Sequence, residues 1–446
     1  GGGGGGGGGS QSGGSLPTTV TASSTTADVF ADRTGAPPAD VFITLTADRL
    51  PPDGLVPDLQ HGTNGIASVS LIDDDTAARL QISWLNPGSK PVGGYVDEIR
   101  LRLCYDDACT REVNGSPIIV KTHYSVEQSA VLSSGGAYQA RGANIDASDI
   151  AWSPVNKRIY AAVPSQFAVA VIDPSTGKVE RTANLGGMPT LLATSDDGQF
   201  LFVHQAQGIV GRYVLPSLTQ DYTYILPSDA TILDVAVAPG RPDTVAIAAV
   251  DDDGFNSISV YDNEGFLTLV SGVGEGPGPI AWNDDGVTIY AKGADAGTTL
   301  YSKTITRPPS PSLLMAPFAS AFLQNGGEIT FAAGRVVDDF GIVVDAATGA
   351  REGSLRFGPP GPVKTVADGA QTRAFVADEQ TGSRVTSYAL DTRTQIESIE
   401  IAVPDSLSGG GAPTNKIIRW GDDGLAVSVA GRVLLIDGTF VTPAPL

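Results

Sequence analysis

The stretch DIAWSPVNKRIYAAVPSQFAVAVIDPSTGKVERTANLGGMPT (149–190) holds several short strand patterns and no helical one. Partial copies of its turn signal follow as TSDDGQFLFV (194–203), AWNDDGVTIY (281–290), VADGAQTRAFVAD (366–378) and RWGDDGLAVSV (419–429). A strand-only unit that recurs every roughly 45 residues predicts a β-propeller, in which small antiparallel sheets stack around a ring. The expected fold class is all-β throughout.

The repeats predict seven blades with cores at 148–185, 190–227, 231–271, 278–307, 313–357, 362–402 and 415–440. The fifth is the least regular, and six or eight blades are the alternatives. The last blade looks short, so a strand from about 138–144 is expected to complete it and lock the ring. The Asp-Gly pairs supply positive φ in the turn between first and second strands. Asp173, followed by Pro174 and Gly177, makes the turn between third and fourth. Trp152 and Trp282 fall on innermost strands, where packing between blades is their expected role.

Three regions are expected along the chain: a tether at 1–24, a β-sandwich at 25–137 and the propeller at 138–446. The opening GGGGGGGGGSQSGGSLPTTVTASSTTAD has no apolar surface to bury and reads as a flexible tether. The sandwich follows from VFITLTAD (41–48), IASVSLID (66–73), RLQISWL (79–85), VDEIRLRLCYD (96–106) and PIIVKTHYSV (117–126). Ile99, Leu101 and Leu103 alternate with Glu98, Arg100 and Arg102, as in a strand with one buried face. Cys104 and Cys109 flank a short polar turn, close enough to bridge across a hairpin. A bridge would put the chain in an oxidising compartment; a reduced cytosolic pair is the alternative.

The chain carries a net charge of -21, with 55 glycines and 30 prolines in 446 residues. Such an acidic balance argues against nucleic acid and against docking on anionic lipid. No apolar run approaches the ~18 residues that span a bilayer.

Two resemblances add to this reading. Residues 158–203 resemble the YVTN-type, lactonase-like propeller repeat, through Val171, Ile172, Asp173, Gly177, Gly186, Pro189, Asp197 and Gly198. SYALDTRTQIESIEI (387–401) resembles it too. The asparagine of that repeat is replaced by Val163, Gln205 and Asp378 in the clearer copies. Residues 91–126 resemble bacterial extracellular Ig-like domains of the BACON-like kind, through Gly94, Tyr95, Cys104, Asp107, Cys109, Gly115, Ser116, Pro117, Tyr124 and Val126. That resemblance implies a spacer or adhesive domain. The poly-Gly start resembles the segment after the lipid-carrying cysteine of bacterial surface lipoproteins, which implies a lipid anchor and placement on the outer-membrane surface, with the periplasm as the alternative.

Candidate site residues lie on the rim formed by loops between second and third strands. Asp251, Asp252, Asp253, Asp295, Asp378 and Glu379 make that rim acidic, and His204 and Gln205 stand beside it. An acidic rim suits a cationic partner; a solvated, solubilising surface is the bland reading. DDDGFNSISVY (251–261) raises calcium but lacks the spacing and terminal Glu of an EF-hand loop, so no cofactor is expected. His61, His123 and His204 are far apart in sequence, and no Ser–His–Asp order or G-x-S-x-G elbow is present. The expected function is therefore non-enzymatic binding of a surface protein, extracellular filament or polysaccharide. The alternatives are a lactonase-like hydrolase and a periplasmic outer-membrane assembly scaffold.

Overall fold

The computed structural model describes residues 17–442 apart from 33–35, 75–76, 92, 128–130, 136–137, 207, 228–229, 273–276, 294–298, 309, 311, 316, 321–326, 356–362, 379–383, 402–413 and 430. It is all-β: the described residues hold strands and two single-turn 3-10 segments, Pro87–Ser89 and Pro164–Gln166, with no α-helix. The chain divides into two compact units. One comprises residues 1–28, 41–83 and 95–123; the other comprises 29–40, 84–94 and 124–446.

In the second unit, small sheets succeed one another along the chain. Their first strands are Asp149–Ser153 (sheet I), Leu191–Thr194 (II), Thr231–Ala238 (III), Pro277–Trp282 (IV), Ile329–Ala332 (V), Val363–Asp368 (VI) and Thr414–Trp420 (VII). Each first strand lies beside the first strand of the next sheet, and that of VII lies beside that of I. Apolar alternation explains the stacking. One set of side chains from each strand meets one neighbouring sheet and the other set meets the other. Ile150, Ile159 and Ile172 pack with Ala426 and Leu435 between VII and I, while Ala151, Tyr160 and Val171 face Leu192, Leu201 and Val203 between I and II. Burying each such aliphatic side chain contributes about 1.5–3 kcal/mol, so the core is distributed around the ring.

Sheet VII is completed from the other end of the chain, as the sequence predicts. Tyr138–Ala143 pairs antiparallel with Arg432–Asp437. Val131–Gly135 then pairs with 138–141 as a fifth strand of this sheet, although the sequence places it within the sandwich region 25–137. The expected fifth blade, 313–357, is redistributed. Ser312–Met315 pairs in parallel with the outer strand of sheet III (Gly265–Gly272). Pro317–Ser320 becomes the fourth strand of sheet IV, and sheet V starts at Ile329. The run had no clear repeat pattern because it serves two sheets before reaching its own.

The turn chemistry is partly as expected. Gly198 and Gly286 adopt φ of +67° and +64°. In sheet VI the positive φ falls on Thr372, not Gly369, and in sheet VII on Gly421, ahead of the Asp-Asp-Gly run. Trp282 is buried and its Nε1 donates to Ala236 O at 3.1 Å, linking sheets IV and III. Trp152 sits 6.1 Å from Trp420, linking I and VII.

Residues 20–127 contribute two four-stranded sheets. One has the order Val20–Ala22, Val41–Ala47, Ala77–Trp84, Ile66–Asp74; the other has Thr26–Asp32, Ile118–Glu127, Gly93–Cys104, Val56–His61. Ile99, Leu101 and Leu103 are buried while Glu98 and Arg100 are exposed, as their alternation predicts. The first strand begins before residue 25: buried Val20 opposes Ala47, and its N–H donates to Asn114 O at 2.9 Å. The expected tether end at 24 is thus too late.

Cys104 and Cys109 form a disulfide with Cα atoms 5.1 Å apart. They do not face each other across a hairpin, because Cys104 pairs with Glu112 instead. The bridge closes the loop's own turn, with Cys109 at φ +52°. Asp106 fastens the turn from inside, accepting from Thr110 N and Arg111 N at 2.9 and 3.1 Å.

Candidate functional site

Side-chain links join neighbouring sheets at one mouth of the ring. Asp149 Oδ2 accepts from Leu192 N at 2.7 Å, joining sheets I and II. Asp234 Oδ2 accepts from Ile280 N at 2.9 Å, joining III and IV. Asp339 Oδ1 accepts from Thr365 N at 3.3 Å, joining V and VI. In each case a short acidic side chain takes a backbone N–H of the next sheet, which a polar group in this position must do to offset its desolvation.

Two lysines complete the mouth. Lys364 Nζ lies 2.8 Å from Asp339 Oδ2. Lys416, on the first strand of sheet VII, ion-pairs with Glu328 at the start of sheet V, and its Nζ is 3.9 Å from Asp149 Oδ1 of sheet I. Water still reaches Lys416 and Glu328, whose side chains are 24% and 33% exposed, whereas Asp149 and Asp339 are each 4% exposed.

Burial pushes the carboxyls of Asp149 and Asp339 up to about 6, and that of Asp234 up to about 7, against the pull of the lysines. Burial would raise Glu328 too, but Lys416 and Lys364 reverse the effect and hold it below the usual glutamate value. Burial disfavours the Lys416 ammonium, yet Glu328, Asp149 and Asp234 together raise its pKa above that of an ordinary lysine. The result is a charge network across the mouth in which carboxylates of sheets I, III and V converge on one ammonium of sheet VII.

The rim residues read from the sequence have different fates. Asp251 is a turn-builder: its Oδ1 accepts from Phe255 N at 2.7 Å, and its carbonyl accepts from Gly254 N at 2.9 Å. The turn leaves Asp252, Asp253 and Phe255 exposed, Phe255 by 51%. Gln205 is buried, with Nε2 donating to Leu185 O at 3.1 Å and hydrogen-bonded to the Tyr213 hydroxyl; it braces its strand end and does not face solvent. His204 Nδ1 is 2.6 Å from Thr190 Oγ1, Nε2 is buried, and burial lowers its pKa, so the ring is neutral at pH 7. Asp378 opposes Val363 at the end of its strand. Asp295 and Glu379 lie outside the described residues. Among the described residues, no group of three or more His, Cys, Asp and Glu is arranged to hold a metal ion.

Sequence reasoning missed the mouth network. Asp149, Asp234, Glu328, Asp339, Lys364 and Lys416 occupy no common motif. The available signal was a charged residue at or near the start of several innermost strands, in otherwise apolar surroundings.

No protein-family model matches the chain, and no curated protein matches it. Among solved structures, that of U3-55K, a WD40 β-propeller, is similar over 69% of this chain and 98% of its own, with a TM-score of 0.51. The fold is propeller-like. At 13% identity the likeness speaks for the fold alone. In sheet III, Thr231 at the start of the first strand opposes Val250 at the end of the second, so the turn 251–255 leaves from the end of the sheet at which the first strand begins.

Proposed function

We propose that this chain is a non-enzymatic binding scaffold of the cell exterior. In this reading a seven-bladed, YVTN-type propeller presents its loop-bearing face to a surface protein, an extracellular filament or a polysaccharide. An Ig-like sandwich acts as spacer, and the Gly-rich start tethers the chain behind a lipid anchor. The observation that carries the binding role is the turn 251–255. Asp251 spends its carboxylate on the turn itself, and this fixes a projecting tip of two solvated carboxylates and one exposed phenyl ring. Such a tip offers a partner a cationic contact and an apolar one from a preorganised loop. The charged groups at the nearby mouth are already engaged with one another, which favours contact over catalysis there. The Cys104–Cys109 bridge is in keeping with an oxidising compartment.

The test is binding of the purified chain to arrays of glycans and of basic proteins and peptides, beside Asp252→Lys/Asp253→Lys and Phe255→Ser variants. Specific, salt-sensitive binding that both variants weaken is the expected result. An array bound no better by the parent chain than by the variants would discard the reading.

A further inference from the structure

Lys292 and Asp338 lie outside the mouth network, on the second strands of sheets IV (Thr288–Gly293) and V (Arg335–Asp338). Both side chains are 0% exposed, and Lys292 Nζ is 3.0 Å from Asp338 Oδ2. The two oxygens of Asp338 are not equivalent. Oδ2 faces the lysine, while Oδ1 accepts from the backbone N–H groups of Phe340 and Ile342 at 3.0 and 2.9 Å. The Phe340 ring stands 4.9 Å from Nζ.

We propose that Lys292 and Asp338 are the site of a self-formed amide cross-link between neighbouring sheets. An ammonium and a carboxylate taken out of water together are costly to keep ionised. The reaction begins with transfer of one proton from Nζ to Oδ2, which gives an amine and a carboxylic acid. The nitrogen lone pair then attacks Cγ. Negative charge develops on Oδ1, where two backbone N–H groups already point, the arrangement that stabilises an acyl-transfer intermediate. Oδ2 departs as water, carrying the transferred proton and a second one from nitrogen. An N–C bond forms, a C–O bond breaks, and an amide replaces the ion pair with no oxidant, reductant or co-reactant. Fixed juxtaposition of the two groups supplies the effective concentration that the free side chains lack. The oxygen that is retained and the oxygen that leaves are assigned by their separate partners.

The experiment is mass spectrometry of the full purified chain after reduction of Cys104–Cys109. The expected intact mass is below the sequence mass by one water, about 18 Da. A tryptic digest is expected to contain one joined species linking the peptides of Lys292 and Asp338, with no cleavage after Lys292. Asp338→Ala is expected to restore the full mass, and a joined peptide in the parent chain decides the matter if that variant does not fold. A water loss located elsewhere, such as a cyclised Asp-Gly, would overturn the proposal. So would a denatured chain whose Lys292 cleaves normally and reacts with an amine reagent.

Discussion

Lys416 Nζ lies 3.9 Å from Asp149 Oδ1, joining the first strand of the last sheet to that of the first. The same ammonium pairs with Glu328 of sheet V, so one side chain ties three sheets that are far apart in sequence. This tie sits on the innermost strands, where the last sheet meets the first, while Tyr138–Ala143 completes the same sheet on its outer side.

Removing the cation should leave Glu328, Asp149 and Asp234 without the ammonium they share, with Lys364 the remaining counter-charge of the mouth. Lys416→Met is expected to lower unfolding free energy by about 3 kcal/mol, at the low end for a broken buried pair because water still reaches Lys416. Urea denaturation with an unchanged m-value checks it. A loss under about 0.5 kcal/mol, the scale of an ordinary surface change, would show that the network is not stabilising.

The raised carboxyls set a pH dependence. Asp149 and Asp339 titrate at about 6 and Asp234 at about 7 when folded, all above the unfolded aspartate value of 3.8. These three groups therefore take up protons in the folded state before the unfolded one, and their contribution rises as pH falls from about 8 toward 5, opposed below pH 6.5 by His204 alone of the groups named above, whose pKa burial lowers. Glu328 works in the opposite sense, but its lowered value confines its loss to pH below its unfolded value of 4.5. Lys416, raised, keeps its contribution throughout this window and loses it only in strong alkali. Melting temperature against pH should climb on mild acidification, and Asp234→Asn should flatten the part of the slope around pH 7.

The 251–255 tip predicts a separation of binding from folding. Asp252→Lys/Asp253→Lys should change stability by no more than about 0.5 kcal/mol while abolishing array binding. Asp251→Ala should reduce binding as well, by freeing the turn that Asp251 Oδ1 holds through Phe255 N.

The Cys104–Cys109 bridge closes a short loop, so its removal should cost little. The chain-entropy relation for a loop of this size gives about 2 kcal/mol. Cys104→Ala/Cys109→Ala, followed by denaturation with and without reductant, measures it. Loss of fold on reduction alone would mean that the Asp106 and Arg102 contacts cannot hold the turn unaided.

Closure of sheet VII is testable with one backbone change. Ala140 pairs with Ile436 on one side and Ser133 on the other. Ala140→Pro removes a donor from the middle of a sheet and should unfold the ring at far lower urea than Gln139→Ala does.

The all-β reading and the ring were legible before any coordinates because turn chemistry and two-residue alternation repeat at short range. Asp173 shows why: its Oδ1 accepts from Ser175 N at 3.0 Å, and its carbonyl accepts from Gly177 N at 2.8 Å, all within five residues. Residues 312–320 were misassigned because a strand's choice of partner is not written in its own alternation. Met315 buries itself against sheets III and IV as readily as it would in a blade of its own. Gln205 read as a rim residue because polarity was visible and its contact with Leu185 was not.

Sequence alone thus determined the kind of element, the repeating architecture and the closing strand, since each depends on residues within a few positions or on a period. The charge network, the exchange of strands between sheets III and IV, and the Lys292–Asp338 pair were decided by tertiary structure. Lys292 and Asp338 are 46 positions apart and Lys416 and Asp149 more than 260, and burial acts on these charges only once the sheets have closed around them.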